Sequence, residues 1–186
     1  MTRVHIDHIA LCVKDLDQAI ADWKDILGVL TPEMTETITY SRGSSDGTEM
    51  VWATFQNPDP TGVSIQMWAP GSPDSWVHKV LAKRGEFVHH IAFLSDNFGH
   101  TMQQCRAAGL PVLLDEDSHP DTMPWLKWNF LPESKAHGVL IELATRYQVG
   151  GDRWLPHPGN AENAELNKEW TQRFYTDPGL QGGGKP

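Results

Sequence analysis

Asp7-His8-Ile9-Ala10, near the start of the chain, returns as His89-His90-Ile91-Ala92 in its second half. The histidines His8 and His90 stand 82 residues apart (90 − 8). A second pair follows at similar spacing: Gly62-Val63-Ser64-Ile65-Gln66-Met67 returns as Gly138-Val139-Leu140-Ile141-Glu142-Leu143. Gln66 and Glu142 stand 76 residues apart (142 − 66). A chain that repeats itself, with one metal-ligating residue type at each equivalent point, predicts one divalent ion held between two halves.

The repeat extends outward from these points. Val4 to Val13 is a β-branched, apolar run, followed by Asp15 with Gln18 three places on, the pattern of a helix cap. Leu16, Ile20, Trp23 and Leu27 then recur at helical spacing, and Gly28 closes the segment. Phe87 to Leu94, a cap at Asp96 or Asn97, and Phe98, Met102, Cys105 and Gly109 repeat that order. Trp52 and Trp128 match at the shorter offset, as do Val63 and Val139. Each copy reads as β-α-β-β-β, with turns at Asn57–Gly62 and Pro132–Gly138. The expected fold is α+β: two paired βαβββ modules forming a curved mixed sheet around a central metal site. The modules span 1–72 and 87–146, joined by a linking helix in 73–86. Residues 147–186 form a loop-rich extension, with a short helix expected from Asn160 to Phe174.

With 186 residues and 39% hydrophobic content the chain can bury a real core. A net charge of −9 opposes binding to a nucleic-acid backbone. No apolar run reaches membrane-spanning length, and the N-terminus enters a strand with no apolar leader. Cys12 and Cys105 read as two buried free thiols in a reducing compartment, so the expected location is cytoplasmic.

In a strand, alternate residues share a face. His8 shares its face with Ile6, Ala10 and Cys12; small Ala10 and Ala92 beside the histidines leave room for a cavity. Glu142 inside Val139-Leu140-Ile141-Glu142-Leu143 is expensive unless paired or bound to a cation. Taken singly, His8 can be a hydrogen-bonded core histidine, Gln66 an edge amide, and Glu142 a partner of Arg146. His89 competes with His90, and strand parity relative to His8 favours His90. The coincidence of all four at repeat-equivalent positions favours a metal shell. Imidazole nitrogen with amide and carboxylate oxygen suits Co, Ni, Zn, Mn or Fe(II), one ion per chain. Four protein ligands leave two positions on an octahedral ion for a bidentate oxygen substrate.

These motifs resemble the vicinal oxygen chelate superfamily, which holds glyoxalase I, extradiol dioxygenases and methylmalonyl-CoA epimerase. The resemblance covers roughly residues 4–145 and is closest to the epimerase, on Asp7-His8-Ile9-Ala10, Gln66-Met67-Trp68-Ala69-Pro70, His89-His90-Ile91-Ala92-Phe93 and His137-Gly138-Val139-Leu140-Ile141-Glu142-Leu143. It implies that His8, Gln66, His90 and Glu142 bind the metal, that Glu49 moves the α-proton, and that the chain is a homodimer. The implied reaction is epimerisation of a chelated carbonyl substrate, such as an acyl-CoA, through a metal-stabilised enolate. Proton return on the opposite face falls to Glu142 or to a bound water. Glu49 has Trp125 as its repeat partner, so only one copy offers a base; an exposed hairpin carboxylate is the plain alternative.

Trp52, Trp68, Trp125 and Trp128 are candidate substrate-pocket residues, able to stack on a flat substrate or to fill the core. Lys79, Lys83 and Arg84 are the nearest basic cluster for CoA phosphates, or else the solvated face of the linking helix. Three other functions fit less well. An Fe(II) dioxygenase would use His8, His90 and Glu142, but Gln66 as a fourth ligand leaves too few open positions for oxygen and a bidentate substrate. A glyoxalase I-like lyase uses a similar shell, usually with a second carboxylate where Gln66 stands. A non-catalytic binder of small molecules need not keep four ligands.

Overall fold

The computed structural model describes residues 2–45, 48–119, 123–150 and 153–160. Strand β1 (Val4–Cys12) leads into helix α1 (Leu16–Leu30); β2 (Ile38–Ser45), β3 (Thr48–Phe55) and β4 (Ser64–Pro70) complete the first copy. Helix α2 (Trp76–Arg84) precedes the second copy, which runs β5 (Phe87–Ser95), α3 (Phe98–Ala107), β6 (Trp128–Leu131) and β7 (Leu140–Thr145). Strands β8 (Tyr147–Gly150) and β9 (Arg153–Pro156) follow. Hydrogen bonds join seven strands in the order β2-β3-β4-β1-β5-β7-β6, and β8 pairs separately with β9. The α+β class and the repeated order agree with the sequence. One strand differs: among the described residues, the second copy's counterpart of β2 is reduced to a bridge between Ser118 and Trp128. Pro111 and Pro124 in that stretch lack the amide donor that a ladder needs.

The chain divides into two compact units. Among the described residues, one is Asp7–Ile91 and the other joins those before Asp7 with those from Ala92 to Asn160, so the division cuts through β1 and β5.

In the Asp7–Ile91 unit, β1 lies parallel to β4 with Ala10 opposite Gln66 and Cys12 opposite Trp68. β3 lies antiparallel to β4, with Thr54 opposite Gln66 and Trp52 opposite Trp68. The two-residue alternation then sorts the side chains. Ala53, Phe55, Met67 and Ala69 pack with Ile20 and Leu27 of α1. Met50, Trp52, Cys12 and Trp68 belong to the opposite face, where they pack with Val77 and Leu81 of α2. Gln66 and His8 share that second face by parity.

Helix α1 is capped as expected, with Asp15 Oδ1 accepting from the Gln18 amide at 3.0 Å. Gly28 does not end it. The helix continues to Leu30 and stops before Thr31-Pro32, because proline disfavours helical geometry in the residue that precedes it.

In the second unit, α3 is capped by Asn97, whose Oδ1 accepts from the His100 amide at 3.1 Å. Gly109 follows at φ +69°, the left-handed geometry that glycine adopts without a Cβ penalty. Phe98, Met102 and Leu143 form that unit's core. The stretch from Tyr147 was expected to be loop-rich; it contains the β8–β9 hairpin, with the Tyr147 and Trp154 rings 5.6 Å apart. The helix expected from Asn160 to Phe174 lies outside the described residues, apart from Asn160, whose side-chain amide donates to the Arg146 carbonyl at 2.7 Å.

Candidate metal centre

His8 and His90 meet. Their Nε2 atoms lie 3.0 Å apart, and their rings are 5% and 1% exposed. Each ring has a partner on its other nitrogen: His8 Nδ1 lies 2.8 Å from Asp7 Oδ2, and His90 Nδ1 lies 2.7 Å from His89 Nδ1. A carboxylate can only accept, so Asp7 holds the proton on His8 Nδ1 and leaves the Nε2 lone pair aimed at His90. Two nitrogens bound at about 2.1 Å, at right angles on one ion, lie about 3.0 Å apart. The pair therefore already has the spacing of two adjacent ligands. Burial, with His8 and His89 alongside, holds His90 well below the usual imidazole range. It is neutral at physiological pH, the form that ligates a metal.

Gln66 is 4% exposed and held at both ends. Its Oε1 accepts from Trp68 Nε1, and its Nε2 donates to Thr54 Oγ1 at 3.2 Å. An indole N–H only donates, so the amide's orientation is fixed. A carbonyl oxygen has two lone pairs, which leaves one beyond the Trp68 bond for a further partner. Ala10 opposite supplies the space.

Glu142 belongs to the other unit. It is half-buried on β7, opposite Phe130 in the β6–β7 ladder. Its neighbour Leu143 packs on α3, so Glu142 stands on the face turned away from that helix. Gln66 has the same relation to α1.

Glu49 is exposed on β3, and its carbonyl accepts from the Gly71 amide at 3.0 Å. A Cβ at residue 71 would lie 3.0 Å from Glu49 Cβ, so glycine there permits the close approach of the two strands. Trp52 and Trp68 stack, with ring centroids 5.4 Å apart and planes at 21°. Trp125 is 1% exposed in the second unit, and Trp128 is half-buried on β6. Lys79, Lys83 and Arg84 are exposed on α2, with Arg84 lying over the Phe87 ring at 5.0 Å. A cleft of about 380 Å³ beside α1 includes Asp15, Asp22 and Glu86 in its lining, a charge wrong for an anionic ligand.

Sequence reasoning set His89 aside in favour of His90 and missed Thr54. Parity assigned His89 to the face opposite His90. Both rings instead contact Trp68, at centroid distances of 5.6 and 5.5 Å, and both are buried. The alternation breaks at this point of β5. No sequence signal marks such a break. Thr54 was legible in principle, since it pairs across from Gln66 once the register of β3 and β4 is known.

The fold and these residues define a member of the Glyoxalase/Bleomycin resistance protein/Dioxygenase superfamily: its family model matches residues 7–123, and the chain belongs to it. The chain is similar to an uncharacterized Bacillus subtilis protein, YqjC, at 26% identity over 153 residues, which covers 82% of this chain and 97% of that one. Among solved structures it is similar to methylmalonyl-CoA epimerase from Mycobacterium tuberculosis, at 25% identity and TM-score 0.58, over 76% of this chain and 87% of that one. It is also similar to a Streptomyces coelicolor methylmalonyl-CoA epimerase in complex with 2-nitronate-propionyl-CoA, at 28% identity and TM-score 0.55, over 76% and 96%.

Proposed function

We propose that this protein is a metal-dependent epimerase that moves the α-proton of a chelated carbonyl substrate, an acyl-CoA of the methylmalonyl-CoA type. The observation that carries the reading is the buried His8–His90 pair at 3.0 Å, each ring oriented by a partner on its far nitrogen. In this reading Gln66 and Glu142 are the further ligands of one divalent ion, as their repeat-equivalent positions imply. The donor set fits: neutral imidazoles, an amide oxygen and a carboxylate together suit a borderline ion. Similarity to methylmalonyl-CoA epimerases supports the substrate class.

When bound, the ion supplies Lewis-acid stabilisation of the charge that develops on the carbonyl oxygen as the α-proton leaves. The protein's own residues do the rest. Glu49 takes the proton at its carboxylate. Trp52 and Trp68 present apolar surface that excludes water from the acyl group. Assembly as a homodimer in the cytoplasm goes with this function; among the described residues no helix is long and apolar enough to cross a membrane.

The test is metal analysis of the purified protein, followed by deuterium exchange at the α-carbon of methylmalonyl-CoA in heavy water. Bound metal with α-deuterium uptake is the expected result. Metal with no uptake would remove the epimerase assignment and leave the superfamily membership intact.

A further inference from the structure

His89 has no role in the four-ligand reading, yet its ring is placed with care. Its Nδ1 lies 2.7 Å from His90 Nδ1. The ring stacks on Trp68 at 5.6 Å, with the planes 22° apart, and lies 5.5 Å from the Trp76 ring and 6.1 Å from Phe87. It is 9% exposed. A histidine packed among three aromatic rings has little freedom to turn.

We propose that His89 is a positioning residue of the metal centre, setting the tautomer and ring orientation of His90 as Asp7 does for His8. This rests on the metal reading above. The hydrogen-bond chemistry is as follows. Without metal, the chain of contacts runs from Asp7 through His8 and His90 to His89. It is fully satisfied when His90 donates from Nε2 to His8 Nε2 and accepts from His89 at Nδ1. To ligate through Nε2, His90 must give up that proton and carry its proton on Nδ1. His89 lies within reach of Nδ1 and can then accept from it. The proton leaves His90 Nε2, and the Nδ1–Nδ1 bond reverses direction. His89 passes its Nδ1 proton to His90 and takes one up on Nε2 from water, which also receives the proton lost from His90 Nε2, so the two rings stay neutral overall. A neighbour that can both donate and accept does this without moving; a carboxylate such as Asp7 only accepts. The two histidines are thus held by partners of different chemistry: His8 is locked in its ligating tautomer, and His90 is switched into it.

The experiment is titration of the full-length metal-free protein with Co(II), competed against a chelator and read by the visible ligand-field spectrum, for wild type, His89→Phe, His89→Asn and His90→Ala. His89→Phe keeps the stacking area and removes both hydrogen-bonding nitrogens. It is expected to weaken Co(II) binding about 10- to 100-fold, the range typical of lost outer-shell partners. His89→Asn places an amide near the old Nδ1 position and is expected to recover most of that loss, a rescue that a purely packing role would not give. Binding by His89→Phe within twofold of wild type, with binding by His90→Ala lost, overturns the role of His89 alone. Equal binding by wild type and His90→Ala overturns the metal reading itself. Weakening in Phe and Asn alike, with unchanged thermal midpoints in the metal-free proteins, also overturns the tautomer role.

Discussion

The two repeat copies share an outline and differ in what they contribute. Both open with a strand carrying a buried histidine, and both cap the next helix with a side-chain oxygen accepting an amide three residues on. The first copy then builds a full β2–β3–β4 ladder, which sets Thr54 opposite Gln66 and Trp52 opposite Trp68. Among the described residues the second shows β6 and β7 and a bridge at Ser118. The repeat keeps the candidate ligands at equivalent points of the backbone, while the groups around them differ. Gln66 is oriented by two side chains of its own copy, and the equivalent of Glu49 in the second copy is a buried tryptophan.

That asymmetry can be broken most sharply at Glu49. Glu49→Gln is expected to slow α-proton exchange about 10²- to 10⁴-fold while metal content stays at the wild-type level. Trp125→Phe, at the equivalent point of the second copy, is expected to lower stability and leave metal content alone. If Glu49→Gln exchanges at the wild-type rate, the base lies elsewhere. In the cores, Phe98→Ala removes a ring that is 1% exposed and should cost about 3–5 kcal/mol in denaturant unfolding. Leu27→Ala, in the first copy, should cost about 2–5 kcal/mol. Losses below about 1 kcal/mol at either site would mean that its helix is not packed as described. The caps are the smaller test of symmetry: Asp15→Ala and Asn97→Ala should each cost about 1 kcal/mol, and unequal losses would show that one helix start is held by other contacts.

The thiols give the mildest contrast. Cys12 is fully buried on β1, and burial pushes it up to about 12 from 9.0. Cys105 is half-buried on α3 and is raised by the same cause. Between pH 9 and 12 the unfolded chain releases the Cys12 proton and the folded chain keeps it, so stability falls as pH rises through that window. A thiol reagent at pH 8 should modify Cys105 first. Modification of Cys12 at an equal rate in the folded protein would contradict its burial.

How much was legible follows from the range of each interaction. Asp15 and Asn97 were readable as caps because a cap acts over three residues. The alternation of Ile65, Gln66 and Met67 told which side chain leaves the apolar face, because a regular strand has a fixed period. The end of α1 was misread at Gly28, since a glycine marks a terminus only where the chain turns left-handed, and this one does not. The pairing of His89 with His90 was invisible because a break in alternation depends on how β5 is packed. The bridge in place of a strand in the second copy, and the β8–β9 hairpin, also depended on partners far along the chain.

The sequence by itself determined the repeat, the α+β order, and four residues whose chemistry suits one divalent ion. Those are properties of residue type and spacing. Only the tertiary structure decided that the two histidine nitrogens stand 3.0 Å apart, that Trp68 and Thr54 clamp the Gln66 amide, and that His89 lies against His90 instead of on the far face. Hydrogen-bond partners are chosen by distances of a few tenths of an ångström between groups remote in sequence. Such distances exist only once the strands have found their register and the aromatic side chains have closed around them.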